Sequence, residues 1–501
     1  MCQYRAFNSA LESLYNDCEP STFADSGVEP LDFDDETFNN VARLIFETGH
    51  FDASMLSDPA VLELIKQTFN ILSSAIGHGV SYEVPETLRY ALENNAFTFS
   101  GFKTFHALRE VGLSLLTPNG DIKPFSTFLN DVKAINDRYN HNYLRAEYQQ
   151  AVAASQMAVR WHEFEKDGDR YDLQYRTAND SRVREEHAIL HNTTLPPSDP
   201  FWDSFLPPNG WGCRCTTVQV RKGKYPTSDP ELAMRRGQNC TDGAKRKIFR
   251  FNPGKAMRLY PEQHPYFPKG CGSCPRKLNL AFDPKRQICI ACAELSRLKR
   301  IEINRKLYNR LSKDKKYRDV EFNEKTGALK ATHIGHNWKH DEQDKQRFFG
   351  DMTKEDLELE CQNEVFRMGG SCILRDESKK RANGEQATAL DAYINGIITD
   401  IRSITEPCDS YIGKLSAKNG QLKRWNHENP DELGSTITLY FHEPSWFSED
   451  ILKKDIDRLK KYRKKDKTTG EYTDNHITLH FNKILVIIKG HDKIHKIEVP
   501  E

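Results

Sequence analysis

The sequence predicts a multidomain chain: a mostly α-helical N-terminal half, a small zinc-ribbon-like segment and an α+β C-terminal domain. Three observations carry that expectation. At 501 residues the chain is longer than one hydrophobic core usually serves, so two to four domains are expected. Apolar residues recur every three or four positions in the early part of the chain, the period of an amphipathic helix. The last third mixes that period with short apolar runs and an Asn-Gly pair between two of them, a hairpin signal.

Taken in order, residues 1–95 form a helical N-terminal region, in which Leu62, Ile65, Phe69, Leu72 and Ile76 make one apolar stripe. Residues 96–225 remain helical up to AEYQQAVAASQMAVRWHEF, an Ala-rich, Gly-free run of high helix propensity. Both helices are expected to serve packing. Residues 226–300 form a Cys-rich segment broken by Pro and Gly, and 301–330 read as a charged helical connector. In the α+β region, 331–501, Thr353 with Asp356 three residues on marks a helix start. Leu357, Cys361, Val365 and Met368 give that helix an apolar face, Gly369-Gly370 stops it, and SCILR follows as a strand.

Bulk composition excludes some functions. Lys plus Arg equals Asp plus Glu at 72 each, so no global pull toward nucleic acid or membrane follows. The N-terminus has no basic stretch followed by an apolar run, so no signal peptide is expected. The longest apolar stretch, ILVIIKG, is too short to span a bilayer. The expected setting is a cytoplasm, or a particle that leaves it. In such a protein close cysteine pairs point to metal rather than to disulfides, and six of the 12 cysteines form three tight pairs.

The densest group of special residues is Tyr175–Cys215. Asp180 and His187 are seven apart and would share a helix face; Asp180 and Arg184 would form an i,i+4 ion pair. Cys213 and Cys215 flank Arg214 on extended chain, so both thiols point to one side. His187, Cys213 and Cys215 are therefore candidate zinc ligands. The alternative is a loop locked by packing and hydrogen bonds, since buried cysteines are often merely small hydrophobes. Pro207, Pro208, Gly210 and Trp211 read as a rigid turn, and nothing here supplies a nucleophile with its base.

With its PPSDPFW and PPNGWGCRC turns, this segment resembles the Mu F-like phage minor head (head morphogenesis) proteins, matching at Asp180, His187, Trp202, Pro208, Gly210, Trp211, Cys213 and Cys215. The resemblance covers roughly residues 97–220. It implies an assembly module of a phage or prophage head, with portal and capsid proteins as partners and the virion or host bacterial cytoplasm as location.

Further on, Cys271-x2-Cys274 and Cys289-x2-Cys292 stand fourteen residues apart. Two such knuckles complete a tetrahedral structural Zn²⁺ site with no open position, so folding support and no catalysis is expected.

In the last region, Asn395-Gly396 fixes a register in which Ile394 opposes Ile397 and Asp391 opposes Asp400. Facing carboxylates are destabilising unless something positive lies between them, and Arg402 shares the face of Asp400. The resulting Asp391, Asp400, Arg402 cluster is similar to the D…(D/E)xK arrangement of nucleases that hold Mg²⁺ or another divalent ion. The order of elements also resembles the C-terminal toxin nucleases of contact-dependent inhibition and barnase–EndoU–colicin–RelE-like proteins. That resemblance implies nucleic acid, RNA before DNA, and an immunity protein as partners. Arginine departs from the usual lysine and is no base at neutral pH, so the variant expected is an RNase pairing Arg402 with a histidine. His442, His476 and His480 lie in or beside the strands TITLYFH and HITLHF, and His480 is the candidate for this role. The alternative is an inactive module that binds nucleic acid or a head partner. The run ILKKDIDRLKKYRKKDK could contact phosphates but is by default a solvated helix face. His333-Ile334-Gly335-His336 spells an aminoacyl-tRNA synthetase tetrapeptide, yet no nucleotide-binding sheet precedes it.

Overall fold

The computed structural model describes residues 2–16, 31–80, 83–167, 170–268, 284–336, 349–429, 432–461, 463–465 and 472–499. The chain divides into two compact units, Met1–Lys299 and Arg300–Glu501.

The first unit begins with six helices: α1 (Cys2–Tyr15), α2 (Asp35–Thr48), α3 (Pro59–Ser74), α4 (Glu86–Ser114), α5 (Phe125–Asn136) and α6 (Leu144–Asp167). Their boundaries are chemical. The Asp34 side chain accepts from the backbone of Glu36 and Thr37 to cap α2, and Gly49 closes it at φ +76°, a left-handed conformation that suits glycine. The Asp58 side chain caps α3, with Pro59 at its first position. Four phenylalanines of α4 (Phe97, Phe99, Phe102 and Phe105) are buried, so this helix runs through the core rather than over it. The stripe expected in α3 is present at Ile65, Phe69 and Leu72, with Val61 and Leu64 buried beside it.

After the helices comes a small antiparallel sheet in the order β2-β1-β3, with β1 (Tyr171–Arg176), β2 (Thr194–Leu195) and β3 (Thr216–Arg221). Short helices α7 (Glu185–Ala188), α8 (Phe201–Phe205), α9 (Pro230–Cys240), α10 (Ala244–Lys247) and α11 (Pro253–Ala256) surround it. Trp161, Phe164, Tyr175, Phe201, Trp202, Phe205 and Cys240 form their common core. Helix α9 sits so close to α8 that a Cβ on Gly237 would lie 2.4 Å from the Phe205 ring.

The unit boundary falls inside α12 (Pro284–Leu311). The stretch 301–330, expected to be a helical connector, instead holds the end of α12 and strand β4 (Tyr317–Phe322). Both are integral to the second unit: Leu307 and Leu311 pack on Leu329 and Ala331 of β5 (Leu329–His333).

That unit is built on an eight-stranded mixed sheet, order β13-β12-β9-β8-β7-β6-β5-β4. It contains α13 (Lys354–Arg367), β6 (Ser371–Leu374), β7 (Ala392–Ile394), β8 (Ile397–Ile404), α14 (Ile412–Glu428), β9 (Thr436–Phe441) and α15 (Glu449–Lys460). A separate pair, β10 (Arg463–Lys465) and β11 (Tyr472–His476), precedes β12 (Lys483–Ile488) and β13 (His495–Glu498). Alternate residues of the central strands enter different cores. Ile401, Tyr440, Leu485 and Ile487 pack with α13, whereas Ile404, Leu439, Phe441 and Val486 pack with α14 and α15. Helices therefore cover both faces, and β9 is buried along its whole length.

Several expected elements are present as expected. Thr353 and Asp356 form a reciprocal capping box at the start of α13. Asn395 (φ +50°) and Gly396 (φ +76°) make the hairpin turn, pairing Ile394 with Ile397, Tyr393 with Ile398 and Ala392 with Thr399.

Candidate functional site

Two clusters gather chemistry. The first is in the second unit, where β7 and β8 begin and end beside α14. The hairpin register brings Asp391 and Asp400 side by side. Both are fully buried, at 2% and 0% exposure, a costly state for two acids. The cation that offsets them is Lys418, on α14, with Nζ 2.7 Å from Asp400 Oδ2 and 3.9 Å from Asp391 Oδ2. Gln421, three residues on, donates to Asp400 Oδ1 at 3.0 Å, and the Ile401 backbone N–H donates to Asp391 Oδ2 at 2.7 Å.

This corrects the expected role of Arg402. It shares the face of Asp400, but its Nε is buried without a hydrogen-bond partner among the described residues, and Lys418 is the cation that pairs with the acids. One signal in the sequence pointed there. Leu415, Lys418, Leu422 and Trp425 recur at helical spacing, so the lysine stands inside the apolar stripe of its helix, where lysine rarely lies unpaired.

More charge surrounds the pair. The Glu358 carboxylate of α13 forms an ion pair with Lys354 at 3.1 Å and lies 3.1 Å from His336 Nε2. The second histidine of the tetrapeptide in His333–His336 thus has a place in this acid cluster. Burial and the Asp391 charge push the Glu377 carboxyl up to about 8. Burial opposes ionisation of Asp391, yet the Lys418 and Lys354 ammonium groups hold it well below the usual range. Burial and the neighbouring Asp391 charge push Asp400 well up. The Lys354 side chain is 48% exposed and marks where the cluster meets the surface.

The histidines lie differently. His480 is half-buried; its backbone N–H donates to Asn419 Oδ1 at 2.6 Å, and the charge that acts on its ring is Lys423. His442 Nδ1 lies 2.6 Å from Glu360, which also binds Tyr440 and Lys489. The side chain of His476 lies outside the described residues.

The second cluster is in the first unit. His187 on α7 meets Cys213 and Cys215 in the turn that leads into β3; Nδ1 lies 3.6 Å from one sulfur and 3.5 Å from the other. All three ligand atoms lie within 4.8 Å of one another, the one such group of three or more found among the described residues. The helix expected to join Asp180 to His187 does not form, since α7 spans only Glu185–Ala188. Asp180 pairs with Arg214 (2.7 and 2.5 Å), while Arg184 donates to the Trp211 carbonyl at 2.7 Å. The Pro207–Pro208 bond beside this turn is cis.

Of the ribbon cysteines, Cys271 and Cys274 lie outside the described residues. Cys289 and Cys292 lie half-buried within α12, so their CxxC is a helical turn rather than a knuckle loop.

Comparison with known proteins bears on the first unit. Residues 123–218 match the family described as Phage Mu protein F like protein. The Mu-like prophage FluMu F protein of Haemophilus influenzae is 31% identical over 159 residues, 30% of this chain and 37% of that protein. The putative capsid assembly protein F of Escherichia phage Mu is 52% identical over 42 residues, 8% of this chain and 10% of that one. The chain thus spans well under half the length of either relative. No solved structure matches it.

Proposed function

We propose that this chain is a minor phage or prophage head protein whose second unit is a metal-dependent nuclease. The head role rests on the family match over residues 123–218 and on a relative named as a putative capsid assembly protein. Portal and capsid proteins are the partners this implies. If so, particles from an induced lysogen should contain the full chain in low copy, as peptide mass spectrometry of purified heads would register. Its absence from heads that are otherwise complete would remove that reading.

The nuclease reading rests on one observation: two buried carboxylates on adjacent strands share a lysine supplied by a third element. A fold gains little stability from such an arrangement, whereas phosphoryl chemistry uses each part. Mg²⁺ keeps several waters and takes one or two carboxylates plus substrate phosphates, so Asp391 and Asp400 suffice without a third protein ligand. Bound there, the ion would activate water and offset charge developing at phosphorus. Lys418 supplies a fixed positive charge beside the same carboxylates, and Gln421 orients Asp400. RNA is the expected substrate, from the likeness to toxin nucleases, and an immunity protein the expected inhibitor. The full chain should cleave transfer RNA, ribosomal RNA or plasmid DNA only with Mg²⁺. Asp391→Ala and Asp400→Ala should each lower the rate on the order of 100-fold or more. Intact substrates under every condition would leave the second unit as a binding module.

A further inference from the structure

We propose that His187, Cys213, Cys215 and Cys240 hold one zinc ion in a closed, structural site of three thiolates and one imidazole. Nothing in the second unit bears on this inference, which stands or falls without the nuclease.

The geometry is that of a tetrahedron's edges. Zinc bonds of about 2.3 Å to sulfur and about 2.05 Å to nitrogen, at a tetrahedral angle, separate the two ligand atoms by roughly 3.5 Å. The observed separations from His187 Nδ1 are 3.6 Å to Cys213 and 3.5 Å to Cys215. Hydrogen bonding explains only one of them well, because Nδ1 carries either one hydrogen or one lone pair, never two of either. A cation at the centre accounts for both contacts.

The fourth ligand comes from a separate element. Cys240 is the last residue of α9, is 0% exposed and lies beside the His187 ring, just outside the trio whose ligand atoms are within 4.8 Å of one another, so it would close in on the ion to complete the tetrahedron. Helices α7 and α9 pack together, and the close seat of Gly237 on Phe205 fixes where Cys240 lies. The sequence hid this ligand, since Cys240 stands alone, 25 residues past Cys215.

Around the four ligands lie groups suited to thiolates. Asn209 and the buried Tyr175 lie beside Cys213 and Cys215, with the Tyr175 hydroxyl donating to Asn209 Oδ1 at 2.9 Å. Three thiolates and one Zn²⁺ leave one negative charge. Arg214 lies near both Cys213 and Cys215, anchored by Asp180. With His187 and Cys213 buried, no open position remains for substrate. The ion would clip the four-residue α7 and the turn before β3 to the end of α9.

The test must separate this site from Cys271, Cys274, Cys289 and Cys292. In full-length protein with those four changed to serine, zinc analysis by plasma mass spectrometry should still give roughly one equivalent. Adding Cys240→Ser should remove most of it, and Cys240→His should restore it. In case Cys240→Ser fails to fold, Co²⁺ replaces zinc in the four-serine protein. Thiolate charge-transfer bands with intense tetrahedral d–d absorption are expected. A metal-free four-serine protein that takes up no Co²⁺, or zinc content unchanged by Cys240→Ser, would overturn the site.

Discussion

Replacing Lys418 with methionine should lower Mg²⁺-dependent cleavage by on the order of 100- to 1,000-fold, whereas Arg402→Gln should cost less than about tenfold. The contrast follows from position. Lys418 Nζ lies 2.7 Å from Asp400 and within 4 Å of Asp391, so its charge would lie beside a phosphate drawn to an ion on those carboxylates. Methionine keeps the length and apolar contacts of the side chain beside Leu415 and Leu422 and removes only the charge. Because both carboxylates remain, Mg²⁺ binding should survive or tighten, and the loss should fall on kcat rather than on the Mg²⁺ dependence. Lys418→Arg would not be conservative, since a planar fork cannot replace a point charge between two buried acids. Single-turnover cleavage measured with Mg²⁺ titration separates these effects. Equal losses in Lys418→Met and Arg402→Gln would return the role to the residue that the linear motif suggested.

That contrast also shows what the chain makes legible. The hairpin could be read because Asn395-Gly396 sets a turn whose register is local, and the facing of Asp391 and Asp400 followed from counting outward. Lys418 could not be found in that way. It lies 18 residues beyond Asp400, and only the packing of α14 against the sheet brings it back. The same holds for Cys240 against His187. Arg184 illustrates the opposite error: a local i,i+4 pairing with Asp180 was available, but the chain there is a turn, and the Trp211 carbonyl claims the guanidinium instead. Local geometry was legible where turn or cap chemistry dictates it. Long-range convergence was visible only as an anomaly, a lysine or cysteine in a place that packing alone does not explain.

Lys103→Met should destabilise the first unit by about 3–5 kcal/mol, and Lys103→Met combined with Glu147→Leu should recover most of that loss. Lys103 of α4 and Glu147 of α6 are 1% and 0% exposed and in direct hydrogen-bond contact. Burial drives each toward its neutral form, raising the Glu147 carboxyl and lowering the Lys103 ammonium, so neither is comfortable without the other. Tyr15 donates to Glu147 Oε1 at 2.7 Å and lies 3.2 Å from His264 Nε2, which gives its hydroxyl a partner even after Glu147 is gone. His264, held neutral by burial, cannot replace the lost positive charge. With Lys103 removed, the Glu147 carboxyl in the folded state is pushed further above its value in the unfolded chain. The folded state then keeps a proton that the unfolded state releases, and stability falls as pH rises from about 4.5 toward neutrality. The difference in melting temperature between Lys103→Met and the unaltered chain should therefore be roughly 6–20 °C near pH 7 and smaller near pH 5. Thermal unfolding followed by circular dichroism at both pH values measures it. A deficit that does not shrink at pH 5, or that persists in the double variant, would show that the lysine stem and its packing, not its charge, hold α4 against α6.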